Sequence, residues 1–195
     1  MNHFFETIEQ FDKELFLKLN SFHNEWLDSA MIIATQGWFW MPVYLFFIYR
    51  IWKLKSLTFN RVALFIGFLI VIFLSDRISV LAFKQVFLRY RPCHNFDLLP
   101  LTHIVKQHCG GKYGFLSSHA TNFMGMATYA IIALKPSKTI SVLLIIWALF
   151  VCYTRIYLGV HYPLDIICGS LLGISIGFMV SKNILHYFIK SENFN

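Results

Sequence analysis

The sequence predicts an all-α protein. It reads as a polytopic membrane helix bundle of about five transmembrane helices, preceded by an N-terminal interfacial amphipathic helix. Three observations predict this. Hydrophobic residues make up 57% of the 195-residue chain and charged residues only 14%, against about 25% charged in an ordinary soluble domain. Mean hydropathy is +0.58, so lipid must cover much of the outside. The basic residues sit at the ends of long apolar runs, where membrane topology and phosphate binding account for a net charge of +7 without nucleic acid.

One domain is expected over residues 1–195, with 1–24 as the interfacial helix, 29–190 as the bundle and 93–118 as an outer loop. Glu6, Glu9, Asp12 and Glu14 near the start argue against a cleavable signal peptide. Phe4, Ile8, Phe11, Leu15, Leu19 and Phe22 recur every three or four residues, giving one apolar stripe with charges opposite. That pattern suits a helix lying in the interface or one packed on protein.

The first span is expected over Ser29 to Trp52 and the second over Val62 to Leu88, judged by bilayer thickness. A polar loop from Cys93 to Ser118 carries Gly110, Gly111 and Gly114. The third span runs from His119 to Leu134, before Lys135-Pro136-Ser137-Lys138. The fourth runs from Ile140 to Tyr157. A tight loop, Gly159 to Tyr162, leads to Pro163, which suits the first turn of the fifth span.

Orientation follows from the basic residues. Arg50, Lys53, Lys55, Arg61, Lys135, Lys138, Lys182 and Lys190 fall in one set of loops, which the positive-inside rule puts in the cytoplasm. The acidic amino terminus and three polar clusters then share the outer face. Those clusters are Lys84-x6-Arg91-Pro92, Ser117-Ser118-His119 and Thr154-Arg155-x5-His161-x3-Asp165.

Lys84 and Arg91, seven apart, can share one helix side, offering a point charge and a planar fork to phosphate oxygens. Snorkelling to the interface would also explain Lys84, and it is the reading given to Arg89. Ser117 and Ser118 open a helix whose free N–H groups suit an anion, or Ser117 or Ser118 is only an N-cap. His119 could protonate a leaving oxygen. Asp165 could hold the His161 tautomer, or could merely complement a helix start. The bland readings would all have to coincide on one membrane face.

The clusters K-QVFLRY-R-P, L-S-S-H and T-R-IYLGV-H-YPL-D resemble the type 2 phosphatidic-acid phosphatase (PAP2) superfamily, whose pattern is K-x6-R-P, P-S-G-H and S-R-x5-H-x3-D. The resemblance implies that His161 is a nucleophile forming a phosphohistidine. It implies that Asp165 orients it and that His119 protonates the leaving group. Lys84, Arg91, Ser117, Ser118 and Arg155 would hold the phosphate. Three positions depart from the pattern: Leu116 for proline, Thr154 for serine, and Ser118 for glycine, whose Cβ is expected to crowd the phosphate loop.

The resemblance implies no metal and no cofactor. The sequence fits, since it has ten acidic residues and metal phosphatases need converging carboxylates or histidines. His94, His103 and His108 read as loop histidines, with a zinc site as the alternative. Cys93 and Cys109 flank the outer loop and would form a disulfide on an oxidising side. Cys152 and Cys168 read as core residues. Asp76 and Arg77, deep in the second span, read either as functional charges or as a mutually neutralising pair.

The expected function is a bacterial lipid-phosphate phosphatase of the inner (cytoplasmic) membrane with its site facing the periplasm. Undecaprenyl diphosphate is the first substrate implied. Lipid A phosphatase and phosphatidylglycerophosphate phosphatase are alternatives. A vanadium haloperoxidase shares the motifs but not the apolar spans, and a silent lipid binder or transporter would not need both histidines. The expected partners are the lipid phosphate and the bilayer, with no nucleic acid and no obligate protein partner.

Overall fold

The computed structural model describes residues 2–54, 58–105 and 109–187. Among them the regular structure is helical, apart from one antiparallel bridge between Tyr90 and Tyr113. Helix α1 spans Asn2–Asn20. Phe4, Phe5 and Phe11 are exposed along it, the stripe an interfacial helix would give to lipid. Asp12, Phe16 and Asn20, four residues apart, are buried on the opposite face. The Asn20 amide donates to the carbonyls of Ile156 (3.1 Å) and Tyr157 (2.9 Å), and its oxygen accepts from His103 N–H. The helix is thereby fastened to the bundle by its polar side.

The first expected span is not one straight helix. Helix α2 (Glu25–Ala34) is followed by a 3₁₀ turn (Gly37–Trp40) and α3 (Met41–Trp52), and the two halves are bent by 72°. The Trp40 indole N–H donates to the Ala34 carbonyl at 2.7 Å, satisfying a group that the break frees. The second span is α4 (Thr58–Ile78), continued by a π-helical segment (Ser79–Lys84) and the single turn α5 (Gln85–Phe87). Leu88 ends it in a left-handed conformation (φ 49°).

Helices α6 (Ser118–Leu134), α7 (Lys138–Tyr157) and α8 (Pro163–Tyr187) complete the bundle. Three described stretches, Thr58–Phe87, Lys138–Tyr157 and Pro163–Tyr187, are long and apolar enough to cross a bilayer, and the bent pair is either a fourth, broken span or a re-entrant loop. The remaining expected span, α6, has 17 residues and is the central helix, with Ala120, Thr121, Phe123, Met126, Ala127, Tyr129 and Ala130 buried. Phe65, Phe73, Leu143, Ile146, Leu171 and Phe178 form part of an exposed apolar exterior, as lipid-facing residues should.

The closest packing is between α6 and α8. A Cβ at Gly169, Gly173 or Gly177 would lie 2.7, 2.3 and 2.5 Å from the carbonyl oxygens of Ser117, Thr121 and Gly125. A repeat of small residues every four positions lets two membrane helices press backbone to backbone. The starts of α6 and α8, which carry the second cluster and Asp165, are held together by this seam.

Candidate active site

The three sequence clusters converge at one end of the bundle. Lys84 Nζ donates to Ser118 Oγ at 2.9 Å, and Ser118 Oγ also meets Ser79 Oγ at 2.7 Å. Ser117 N–H donates to the Asp165 carbonyl at 3.2 Å, and His161 N–H to the Arg155 carbonyl at 3.3 Å. His119 stacks on Phe123 and stands within electrostatic reach of His161, Lys84, Arg91 and Arg155.

His161 lies in the loop before α8, rather than on its face. It is reached by a turn at Gly159 (φ +75°), where a Cβ would fall 2.8 Å from the His103 carbonyl. His161 Nδ1 is 3.3 Å from Asp165 Oδ2, and both side chains are buried. The same carboxylate oxygen accepts from Tyr162 N–H at 3.0 Å. Asp165 therefore completes the helix start and orients the imidazole at once. With the Nδ1 proton turned to Asp165, Nε2 keeps its lone pair. Burial, then the charges of Arg91, Arg155 and Lys84, hold the His161 pKa well below the usual histidine range. Both causes favour the neutral form of the ring.

Arg91 is not on the second span. The chain turns at Leu88, and the residue before Pro92 is held extended (φ −69°, ψ 157°). Its guanidinium donates to the carbonyls of Tyr113 (3.3 Å) and Cys109 (3.1 Å). Gly114 lies against the site: a Cβ there would sit 3.1 Å from Arg91 Cγ and 3.2 Å from Asp165 Oδ2. Arg155 donates to the Thr35 hydroxyl at the break between α2 and α3, while its Nε is buried without a partner among the described residues. Three cations thus cluster before the imidazole, an arrangement that suits a bound anion.

The Ser118 hydroxyl accepts from Lys84. One expectation changes here. Arg89, read as a snorkelling residue, is half-buried and donates to Asp165 Oδ1 (2.8 Å) and to Asp12 Oδ2 (2.7 Å). Its guanidinium also lies 4.2 Å from the centre of the Tyr162 ring. The Ser117 hydroxyl accepts from Ala120 N–H, so it caps α6 and keeps its own proton to donate.

A family model described as the PAP2 superfamily matches residues 63–188. The chain belongs to the PAP2 superfamily. It is a membrane phosphatase of that family, a phosphoric-ester hydrolase by class. It is 32% identical over 183 residues to a lipid A 4'-phosphatase of Porphyromonas gingivalis, covering 93% of this chain and 76% of that one. It is also 32% identical over 174 residues to an undecaprenyl-diphosphatase of Sulfolobus acidocaldarius, covering 87% and 76%. Among solved structures it resembles the transmembrane PAP2-type phosphatidylglycerolphosphate phosphatase of Bacillus subtilis, with a TM-score of 0.67 and 20% identity over 93% and 88% of the two chains. That likeness establishes the fold: a helical membrane bundle of the PAP2 type.

Cys93 and Cys109 form a disulfide (Cα–Cα 5.9 Å) closing the outer loop. Cys93, His94 and Cys109 are the one group of three possible metal ligands among the described residues, and the bridge ties up both sulfurs. His103 instead bonds Asp28 (2.9 Å), while His108 lies outside the described residues. The bridge holds the Cys109 carbonyl that anchors Arg91. Replacing both cysteines by serine is therefore expected to raise KM about tenfold with little change in kcat, the scale of one charge-assisted hydrogen bond. Steady-state kinetics of the double variant checks this, and an unchanged KM would show that Arg91 holds its place without the bridge.

Proposed function

We propose that this chain hydrolyses a membrane lipid phosphate through a phosphohistidine on His161, without a metal ion. The observation that carries the reading is the buried His161, with Asp165 against its Nδ1 and Lys84, Arg91 and Arg155 facing it. Nε2 attacks phosphorus, and the bond to the leaving oxygen breaks as His119 gives that oxygen a proton. The three cations, the Ser117 hydroxyl and the Ser118 N–H bind the phosphoryl oxygens, whose charge is best stabilised by donors already in place. Water, deprotonated by the now neutral His119, then attacks phosphorus, and the bond to His161 breaks to release phosphate.

The basic loops favour a site at the periplasmic face of a bacterial inner membrane. Similarity to the lipid A 4'-phosphatase extends over 93% of the chain and supports a lipid A phosphate monoester as substrate. Similarity at equal identity to an undecaprenyl-diphosphatase supports the second reading, undecaprenyl diphosphate, which would leave undecaprenyl phosphate.

Phosphate release by purified protein from lipid A, undecaprenyl diphosphate and phosphatidylglycerophosphate tests the proposal. Release from one of them should persist in excess chelator and be inhibited by vanadate, which imitates five-coordinate phosphorus. Loss in chelator with recovery on adding a divalent ion would establish a metal mechanism instead. No release from any of the three would favour a silent lipid binder.

A further inference from the structure

The reaction uses Asp165 through the oxygen that faces His161. The other oxygen is held by Arg89, and Arg89 is held in turn by Asp12 of α1. Asp12 is 4% exposed. Its second oxygen accepts Leu164 N–H at 2.8 Å, in the first turn of α8 beside Asp165. One carboxylate from the amino-terminal helix thus satisfies a free N–H of the helix that carries Asp165 and fixes the arginine that grips it. A buried carboxylate beside an arginine is stabilised only while the pair stays complete, so this chain is built as a unit.

The charge count gives the chain a direction. With both carboxylates ionised beside the guanidinium, Asp12, Arg89 and Asp165 carry one net negative charge, and it sits behind an imidazole that becomes cationic when Nε2 bonds phosphorus. Arg91, Arg155 and Lys84 face the same ring from the other elements and oppose that cation, while His119 has by then given up its proton. Without the Asp12 charge, Arg89 would neutralise Asp165 alone, leaving no net negative charge behind the ring. Arg89 would also be free to leave the Tyr162 ring and turn Asp165 with it.

We propose that Asp12 is a positioning residue: acting through Arg89, it holds Asp165 and hence His161 in the orientation that attacks phosphorus. The proposal rests on the phosphohistidine reading. It also gives α1 a task, since the helix whose exposed phenylalanines would meet lipid reaches the nucleophile through its buried face. The seating of α1 is thereby coupled to the orientation of the imidazole.

Anion binding to the purified full-length protein in detergent tests this independently of turnover. Vanadate forms a bond to the nucleophilic nitrogen, whereas sulfate needs only the cations. Asp12→Asn, equal in shape, should weaken vanadate about tenfold, within the range for coupled network residues, and leave sulfate affinity nearly unchanged. Arg89→Gln should weaken vanadate at least as much, and the double variant no more than Arg89→Gln alone. On p-nitrophenyl phosphate, kcat should fall with KM little changed. Glu14→Gln, on the exposed side of α1, should match the parent. Equal losses of vanadate and sulfate would reduce Asp12 to a fold-holding residue, and unchanged vanadate affinity or additive effects of the two substitutions would also overturn the proposal. Failure of every lipid to release phosphate, with the vanadate pattern intact, would count against the substrate reading and not against this one.

Discussion

Replacing His161 by alanine is expected to abolish phosphate release from every substrate, a loss on the order of 10⁵–10⁶ where a nucleophile and its partners act as one unit. No neighbouring group can substitute. His119 is the other histidine at the site, and a ring that protonates the leaving oxygen cannot also attack phosphorus from the opposite side. Asp165→Asn should cost less, about 10²–10⁴, because the imidazole remains but loses its orienting carboxylate. It should also release Arg89 from one of its two anions. Rapid quench of each variant after mixing with a labelled phosphate ester should find no phosphohistidine in His161→Ala. A normal amount of it in that variant would remove His161 from the nucleophile's role.

The bundle was legible in the sequence because lipid imposes long apolar runs, and the motifs were legible because each borders such a run. What escaped the reading depended on contacts between distant segments. Arg89 lies in the same short stretch as Lys84 and Arg91, and its sequence neighbours cannot separate a snorkelling arginine from one tied to two carboxylates. Asp12 falls on the charged face of an amphipathic helix, where a solvated carboxylate is the ordinary expectation. Its burial follows only once α1 docks against the first turn of α8. One sequence signal was available: Asp12, Phe16 and Asn20 recur every four residues, a second stripe beside the apolar one.

The break in the first span was equally hidden. Thr35, Gln36 and Gly37 interrupt an apolar run without a charge, so hydropathy passes over them. The bend places the Thr35 hydroxyl against Arg155, a partner 120 residues away. Gly169, Gly173 and Gly177 did carry a local signal, spaced at four, but their partner helix is known only from the fold. Lys84 and Arg91 illustrate a different failure. Their convergence was expected from two helical turns, yet the helix stops at Leu88 and the disulfide-closed loop brings Arg91 back.

His119→Ala should behave differently from His161→Ala, and the difference depends on the leaving group. Loss of a general acid costs about 10²–10⁴ in rate, but only where the departing oxygen needs a proton. On an alkyl lipid monophosphate, whose alkoxide is strongly basic, the variant should show that full loss. On p-nitrophenyl phosphate, whose phenolate departs unprotonated, the phosphorylation step should recover, read as a burst of p-nitrophenol before slower turnover. Dephosphorylation of the phosphohistidine also needs a base for water, so the variant should accumulate phosphoenzyme on the aryl substrate. Quench experiments would then trap more phosphohistidine in His119→Ala than in the parent. The position of His119, at the first turn of α6 and stacked on Phe123, keeps the ring near the phosphoryl site while leaving His161 and Asp165 undisturbed. Equal losses of the phosphorylation step on the two substrates, with sulfate affinity intact, would overturn the leaving-group role of His119.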